Sequence, residues 1–299
     1  MAKVELKLNS LRYWIMAFRP KTLTAALVPI IAASALVKAL QLPLHLWISG
    51  LALAASLCIQ IGTNLVNDAV DFKKGADKED RIGPQRVTQS GIFSSKTVMV
   101  VGSLFFILAV LCGVPLVIEG GWPIVAIGLF SVLCGYAYTA GPFPLAYRGL
   151  GDIFVILFFG IIAVMGLVYL QTQQWRIEAF VLGLQVGFHC TVLIAINNLR
   201  DINGDKLVNK HTLAVRFGKT FARYEIALLC FVPFLFLSYW IQVGFGAFIL
   251  LALLPLPLAI NLVMKVFKTE PSPVFNSYLG QAAGLHILFG ILLSVGLLI

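Results

Sequence analysis

Charge is what this sequence has least of. Only 12% of its 299 residues are Asp, Glu, Lys or Arg, while 60% are hydrophobic; a soluble globular domain carries about 25% charged residues. That shortage excludes a water-soluble fold and leaves an integral membrane protein. Paired cysteines are missing too: Cys58, Cys112, Cys134, Cys190 and Cys230 all fall inside apolar runs, with no CxxC spacing. A disulfide framework or zinc ribbon is therefore excluded, and the five read as small core residues. Segments of about ten residues with alternating polarity are absent, which rules out an outer-membrane barrel. The N-terminal stretch MAKVELKLNSLRYWIMAFRPK lacks the short apolar core and small-residue cleavage site of a signal peptide, so the mature chain is expected to begin there.

What is present is nine apolar runs, near residues 22 to 40, 46 to 66, 97 to 118, 122 to 140, 152 to 170, 179 to 197, 225 to 242, 244 to 264 and 279 to 298. A helix crosses hydrocarbon with roughly 20 such residues. The expectation is an all-α membrane protein, nine transmembrane helices in a single bundle, forming one intramembrane domain over residues 1–299. The net charge of +9 would suggest nucleic acid in a soluble protein, but its distribution points to lipid. With the N-terminus inside, 20 of the 22 Lys and Arg residues fall on the inner side and 2 on the outer. This asymmetry puts the N-terminus and the long polar loops in the cytoplasm and the C-terminus outside. The bilayer is the implied partner; nucleic acid is not, and no protein partner is implied.

The scarce acids are concentrated in two inner regions, about 64–96 and 197–224. Asn64, Asp68 and Asp71 form NxxxDxxD at the end of span two, and Asn197, Asp201 and Asp205 form NxxxDxxxD at the end of span six. Asn64 to Asn197 and Asp68 to Asp201 are both offsets of 133, a weak parallel internal repeat. Spacings of three and four return side chains to one helix face, and ionisable groups at span ends facing a bundle read as functional. Four converging carboxylates repel unless protonated or bridged by cations. Mg²⁺ suits them, because it takes one or two carboxylates together with waters and phosphate oxygens. A diphosphate is then the natural guest, with Lys73, Lys74, Lys78, Arg81, Arg86, Arg200, Lys206 and Lys210 available to balance its charge. Asp77, Glu79 and Lys206 read equally well as solvated loop charges. A secondary transporter is the reading from another class, but its site would lie near the midplane on broken helices, whereas these acids close the inner ends of their spans.

Around these motifs the chain resembles the UbiA-type intramembrane aromatic prenyltransferases. The likeness runs through FRPKTL at 18–23, NLVNDAVDFKKGADKEDRIGPQRVTQSG at 64–91, YTAGPFPLAYRGLGDIFVILFFG at 138–160 and NNLRDINGDKLVNKHTLAVRFGK at 197–219. The resemblance implies a nine-helix bundle whose central cavity opens near the cytoplasmic side, in the inner membrane if the source is bacterial. It also implies Mg²⁺-dependent transfer from a polyprenyl diphosphate to an aromatic acceptor. Within the family the segments are most similar to the branch that uses 1,4-dihydroxy-2-naphthoate, with loss of CO₂ and diphosphate, in menaquinone biosynthesis. 4-Hydroxybenzoate, homogentisate and a tetrapyrrole are the alternative acceptors.

Carried over by position, Asp68, Asp71, Asp201 and Asp205 would hold Mg²⁺, with Asn64 and Asn197 orienting the site. Arg81, Arg86 and Lys210 would neutralise the departing diphosphate, and Lys21 would contact the acidic acceptor. Similar sequences commonly carry Gly where this one has Asn209, a residue that tolerates left-handed backbone angles. Tyr138 and Tyr147 either line the path of the allylic cation or belong to an interfacial aromatic belt. His189 and His286 read as core histidines, although His286 and Asn276 lie where they could border the acceptor cavity.

Overall fold

Backbone in hydrocarbon finds no water to bond, so apolar runs satisfy their amides internally as helices. Among the residues described in the computed structural model, 11–76 and 82–299, all regular structure is helical. The main helices are α1 (Thr24–Ala39), α2 (Leu46–Lys73), α3 (Ser95–Gly120), α4 (Trp122–Ala137), α5 (Gly151–Thr172), α6 (Ile177–Arg200), α7 (Leu213–Gln242), α8 (Ala247–Lys268) and α9 (Phe275–Leu298). Each of the nine apolar runs is thus a helix, but seven are long and apolar enough to cross a membrane. An eighth is formed if α1 is joined to Leu11–Thr22 across a 51° bend. The remaining run, α4, has 16 residues, about 24 Å at 1.5 Å per residue, short of the roughly 30 Å of a hydrocarbon core.

One boundary differs instructively. The sequence reading runs the inner loop to residue 224, whereas α7 begins at Leu213, with the Thr212 hydroxyl capping it by accepting from the Val215 amide at 3.3 Å. Arg216, Lys219 and Arg223 lower the local hydropathy, but a helix that lies against other helices needs only one apolar face. A kink at Gly218, φ 87°, divides this stretch into two helical pieces; Ala214 before it and Ala222 after it are fully buried, while Phe217 and Tyr224 stay exposed.

α6 is the central post, packed by α1, α5, α7 and α9, and its buried residues run from Ala179 to Arg200. His189, with its Nε2 donating to the Cys230 carbonyl at 3.0 Å, and His286 are both fully buried inside helices, as core residues. All five cysteines are free.

α5 meets α6 unusually closely. Its middle, Leu157–Ile162, is a π-helical turn, and Gly160 in that turn lies against Gly183 and Gly187 of α6. A Cβ on Gly160 would stand 2.6 Å from the Gly187 Cα, and one on Gly183 would stand 2.8 Å from the Ile161 Cα. Small residues let membrane helices approach in this way, where packing rather than hydrophobic exclusion drives association. Gly160→Ala is accordingly expected to lower the thermal unfolding midpoint in detergent, with an overpacking cost of about 1–3 kcal/mol. Gly50→Ala, where an added Cβ meets open space, should leave the midpoint unchanged or raise it.

Candidate active site

The last turns of α2 bring Asn64, Asp68 and Asp71 into the interior, with 4%, 1% and 7% of their surface exposed. Asn64 donates from Nδ2 to the Phe18 carbonyl and to the Thr22 hydroxyl, both at 3.0 Å, and so fastens the bent N-terminal segment to α2. Asp68 accepts from the Thr88 hydroxyl, and Asp71 accepts from the Tyr147 hydroxyl at 2.9 Å. Both donors are neutral hydroxyls, which hold the two carboxylates in place.

The second motif is built differently. α6 ends at Arg200, and Asp201 sits at the break before the short helix Ile202–Leu207. The Asp205 amide still donates to the Asp201 carbonyl at 2.8 Å, so the four-residue spacing keeps both acids together across the break. Arg200, 2% exposed, grips Asp201 with a two-pronged ion pair at 2.8 and 2.7 Å. Its remaining terminal nitrogen donates to the Asn276 side-chain oxygen of α9 at 2.7 Å, and Asn276 donates in turn to the Ile82 carbonyl at 3.1 Å. The second motif, the start of α9 and the segment after the first motif are thereby tied into one chain of bonds. Asp205 Oδ1 accepts from Lys210 Nζ at 3.2 Å, while its Oδ2 is buried without a hydrogen-bond partner among the described residues.

These groups surround a cavity of about 480 Å³. Lys21, Asn64, Asp68, Asp71, Arg86, Tyr138, Asn197, Asp201 and Lys210 all line it. Asp205 is attached through Lys210, and Tyr147 through Asp71, beneath the Lys74 ammonium that stands 4.3 Å from its ring. Arg81, Asp77, Lys78, Glu79 and Asp80 lie outside the described residues. Asn209 takes φ 53°, the left-handed turn that the sequence allowed, and delivers Lys210 to the cavity. Sequence reasoning passed over Asp152 and Asn198, which face the same space; the available signal was a lone Asp in the otherwise apolar run GLGDIFVILFF.

Burial raises the Tyr147 phenol above its ordinary pKa, and Asp71 adds to the effect, so the hydroxyl remains a donor. Burial also pulls Lys210 down, but Asp205, Asp71 and Asp201 together outweigh it and hold the ammonium charged. Asp205 is pushed up, by burial first and by its acidic neighbours, with Lys210 opposing. A cation at the unpartnered Asp205 oxygen would relieve that cost. Among the described residues no three His, Cys, Asp or Glu side chains form a ready cage.

A bundle of apolar helices around a buried pocket of paired acids and cations defines a multi-pass membrane protein with a site for a charged guest. The chain belongs to the UbiA prenyltransferase family, whose model matches residues 26–279, and it is an enzyme of the prenyl-transferring class. It is 32% identical to the 1,4-dihydroxy-2-naphthoate octaprenyltransferase of Haemophilus influenzae, over 97% of each chain. It is 36% identical to the Escherichia coli protein of the same name, over 75% of each. A UbiA homolog from Aeropyrum pernix K1 shares the fold at TM-score 0.70 and 14% identity, over 92% of this chain and 97% of that one. A UbiA homolog from Archaeoglobus fulgidus, bound to DMAPP and Mg²⁺, aligns at TM-score 0.62 and 15% identity, over 95% of this chain and 99% of that one.

Proposed function

We propose that this enzyme transfers a polyprenyl group from polyprenyl diphosphate to 1,4-dihydroxy-2-naphthoate, with Mg²⁺ as cofactor and loss of CO₂ and diphosphate, in menaquinone biosynthesis. The observation that carries the reading is the enclosure of both acidic motifs and Lys210 around one buried cavity. The names of the relatives in Haemophilus influenzae and Escherichia coli support the naphthoate acceptor, and the Mg²⁺ and DMAPP of the Archaeoglobus fulgidus homolog support the metal.

In this reading Asp68, Asp71, Asp201 and Asp205 hold the ion, whose chemistry is to draw off charge as the diphosphate leaves. Lys210, Arg86 and Arg81 supply fixed positive charge to the leaving group. Asn64 and Asn197 orient the site, and Lys21 meets the acceptor carboxylate. Tyr138, half-buried in the cavity wall, presents an aromatic face to the allylic cation, and Tyr147 holds Asp71. Enclosure by the bundle keeps water from the cation. The chain crosses the membrane nine times, with α4 as the shortest pass, and the cavity opens toward the cytoplasm, where the basic residues gather.

Purified protein in detergent should convert geranyl diphosphate and 1,4-dihydroxy-2-naphthoate to a prenylated, decarboxylated product when Mg²⁺ is present. Chelation should abolish turnover and added Mg²⁺ should restore it. Turnover with 4-hydroxybenzoate but not with the naphthoate would replace the acceptor; no product from any aromatic acceptor would sink the proposal.

A further inference from the structure

Apart from the two acidic motifs, one carboxylate lines the cavity among the described residues: Asp152, at the start of α5. It is 3% exposed, and among the described residues its charge faces no arginine or lysine within ion-pair distance. Its side-chain partner is the Asn198 amide of α6, which reaches its two oxygens at 3.3 and 3.5 Å. A buried carboxylate held by its own backbone amide and one long, neutral side-chain contact keeps acceptor capacity for something else. It also has a well-defined neighbourhood. Val155 and Phe159, three and seven residues further along α5, line the same cavity, as do the stacked rings of Phe154 and Phe158 at 5.6 Å. Asp152 therefore stands at the seam between the charged end of the cavity and an aromatic wall.

That position is fixed by backbone. The close seat of Gly160 on Gly183 and Gly187 sets α5 against α6, so Asp152 keeps its place beside Asn198, three residues before Asp201. Lys210, Tyr138 and Glu225 are the charged or titratable groups in electrostatic reach of it.

We propose that Asp152 is the proton acceptor for a ring hydroxyl of the aromatic substrate; this rests on the function proposed above. An aromatic carbon attacks an allylic cation faster when the neighbouring hydroxyl gives up its proton. The carbon–oxygen bond to diphosphate breaks with its electron pair leaving on the diphosphate. The ring carbon that carries the carboxylate then bonds the allylic carbon, while the adjacent hydroxyl proton passes to the Asp152 carboxylate and the oxygen becomes a ketone. Loss of CO₂ returns its bonding pair to the ring, and the ketone oxygen recovers the proton from Asp152. No oxidant or further reactant is required, and Asp152 ends as it began.

The test is Asp152→Asn, which keeps shape and hydrogen bonding, with Asp152→Glu beside it. Two readouts are followed: release of inorganic diphosphate from geranyl diphosphate without acceptor, and prenyl transfer to the acceptor. The Asn variant should lose about 10²–10³-fold in transfer and retain diphosphate release, with Glu recovering part of the transfer. A ring-fluorinated acceptor, whose hydroxyl is already ionised at the assay pH, should shrink the loss several-fold. Full transfer by the Asn variant would overturn the proposal, as would parallel loss of both readouts or an equal loss with the fluorinated acceptor. Wild-type protein that releases diphosphate yet prenylates no hydroxyarene would remove the underlying function, and the role of Asp152 with it.

Discussion

Asp68→Asn is expected to reduce prenyl transfer by on the order of 10²–10³-fold, the loss typical when a group stabilising developing charge is removed. Asp68 is 1% exposed and accepts from Thr88. The amide is nearly isosteric and keeps an oxygen for that hydroxyl, so the substitution removes a negative charge and little else. Burying a charge is costly, and the variant should therefore be at least as stable as the parent. Thermal unfolding in detergent, read beside turnover, separates the two effects. Unchanged turnover would refute a metal-binding role for Asp68, and loss of folding would mean that its charge serves structure.

The largest stability effect should come from Arg200. Arg200→Met keeps bulk but removes the two-pronged ion pair from the Asp201 carboxylate and the donor from the Asn276 oxygen. Breaking a buried ion pair from one side costs about 3–5 kcal/mol, here toward the lower end because Asp201 is 21% exposed. The unfolding midpoint should fall well below that of the parent, and turnover should fall with it as Asn276 loosens its hold on Ile82. Arg200→Lys should recover only part of the loss, since an ammonium cannot span a carboxylate and an amide with a planar fork. A midpoint equal to the parent's in the Met variant would show that the Arg200 chain of bonds contributes nothing.

Much of the site was legible because its signals are local. Two Asn–Asp–Asp motifs at span ends, two of whose three positions repeat at an offset of 133, stand out against apolar sequence, and Asn209 at a turn could be read from the angles Asn tolerates. The helices were equally plain in the hydropathy, apart from the start of α7, where basic residues and the kink at Gly218 mask two short helical pieces. Other features depend on partners remote in the chain. Arg200 was one cation among eight until Asn276, 76 residues away, took its third prong. Asp152 gained meaning only from Asn198, 46 residues on, and from a glycine seat that no short window of sequence reveals. The membrane side of the cavity rests on charge asymmetry, a property of the chain and bilayer together.

The contrasting partners of the two acidic motifs imply that the halves of the internal repeat no longer carry equal duties. Asn64 is spent on bolting the N-terminal segment in place, whereas Asn197 lines the cavity with its amide still available to a guest. The first pair of acids accepts hydrogen bonds from hydroxyls, while the second is gripped by Arg200 and Lys210. The chamber thus has two unlike banks, one of acids held by hydroxyls and one of acids held by cations, so a guest and its escort ion can tell left from right before any bond is broken.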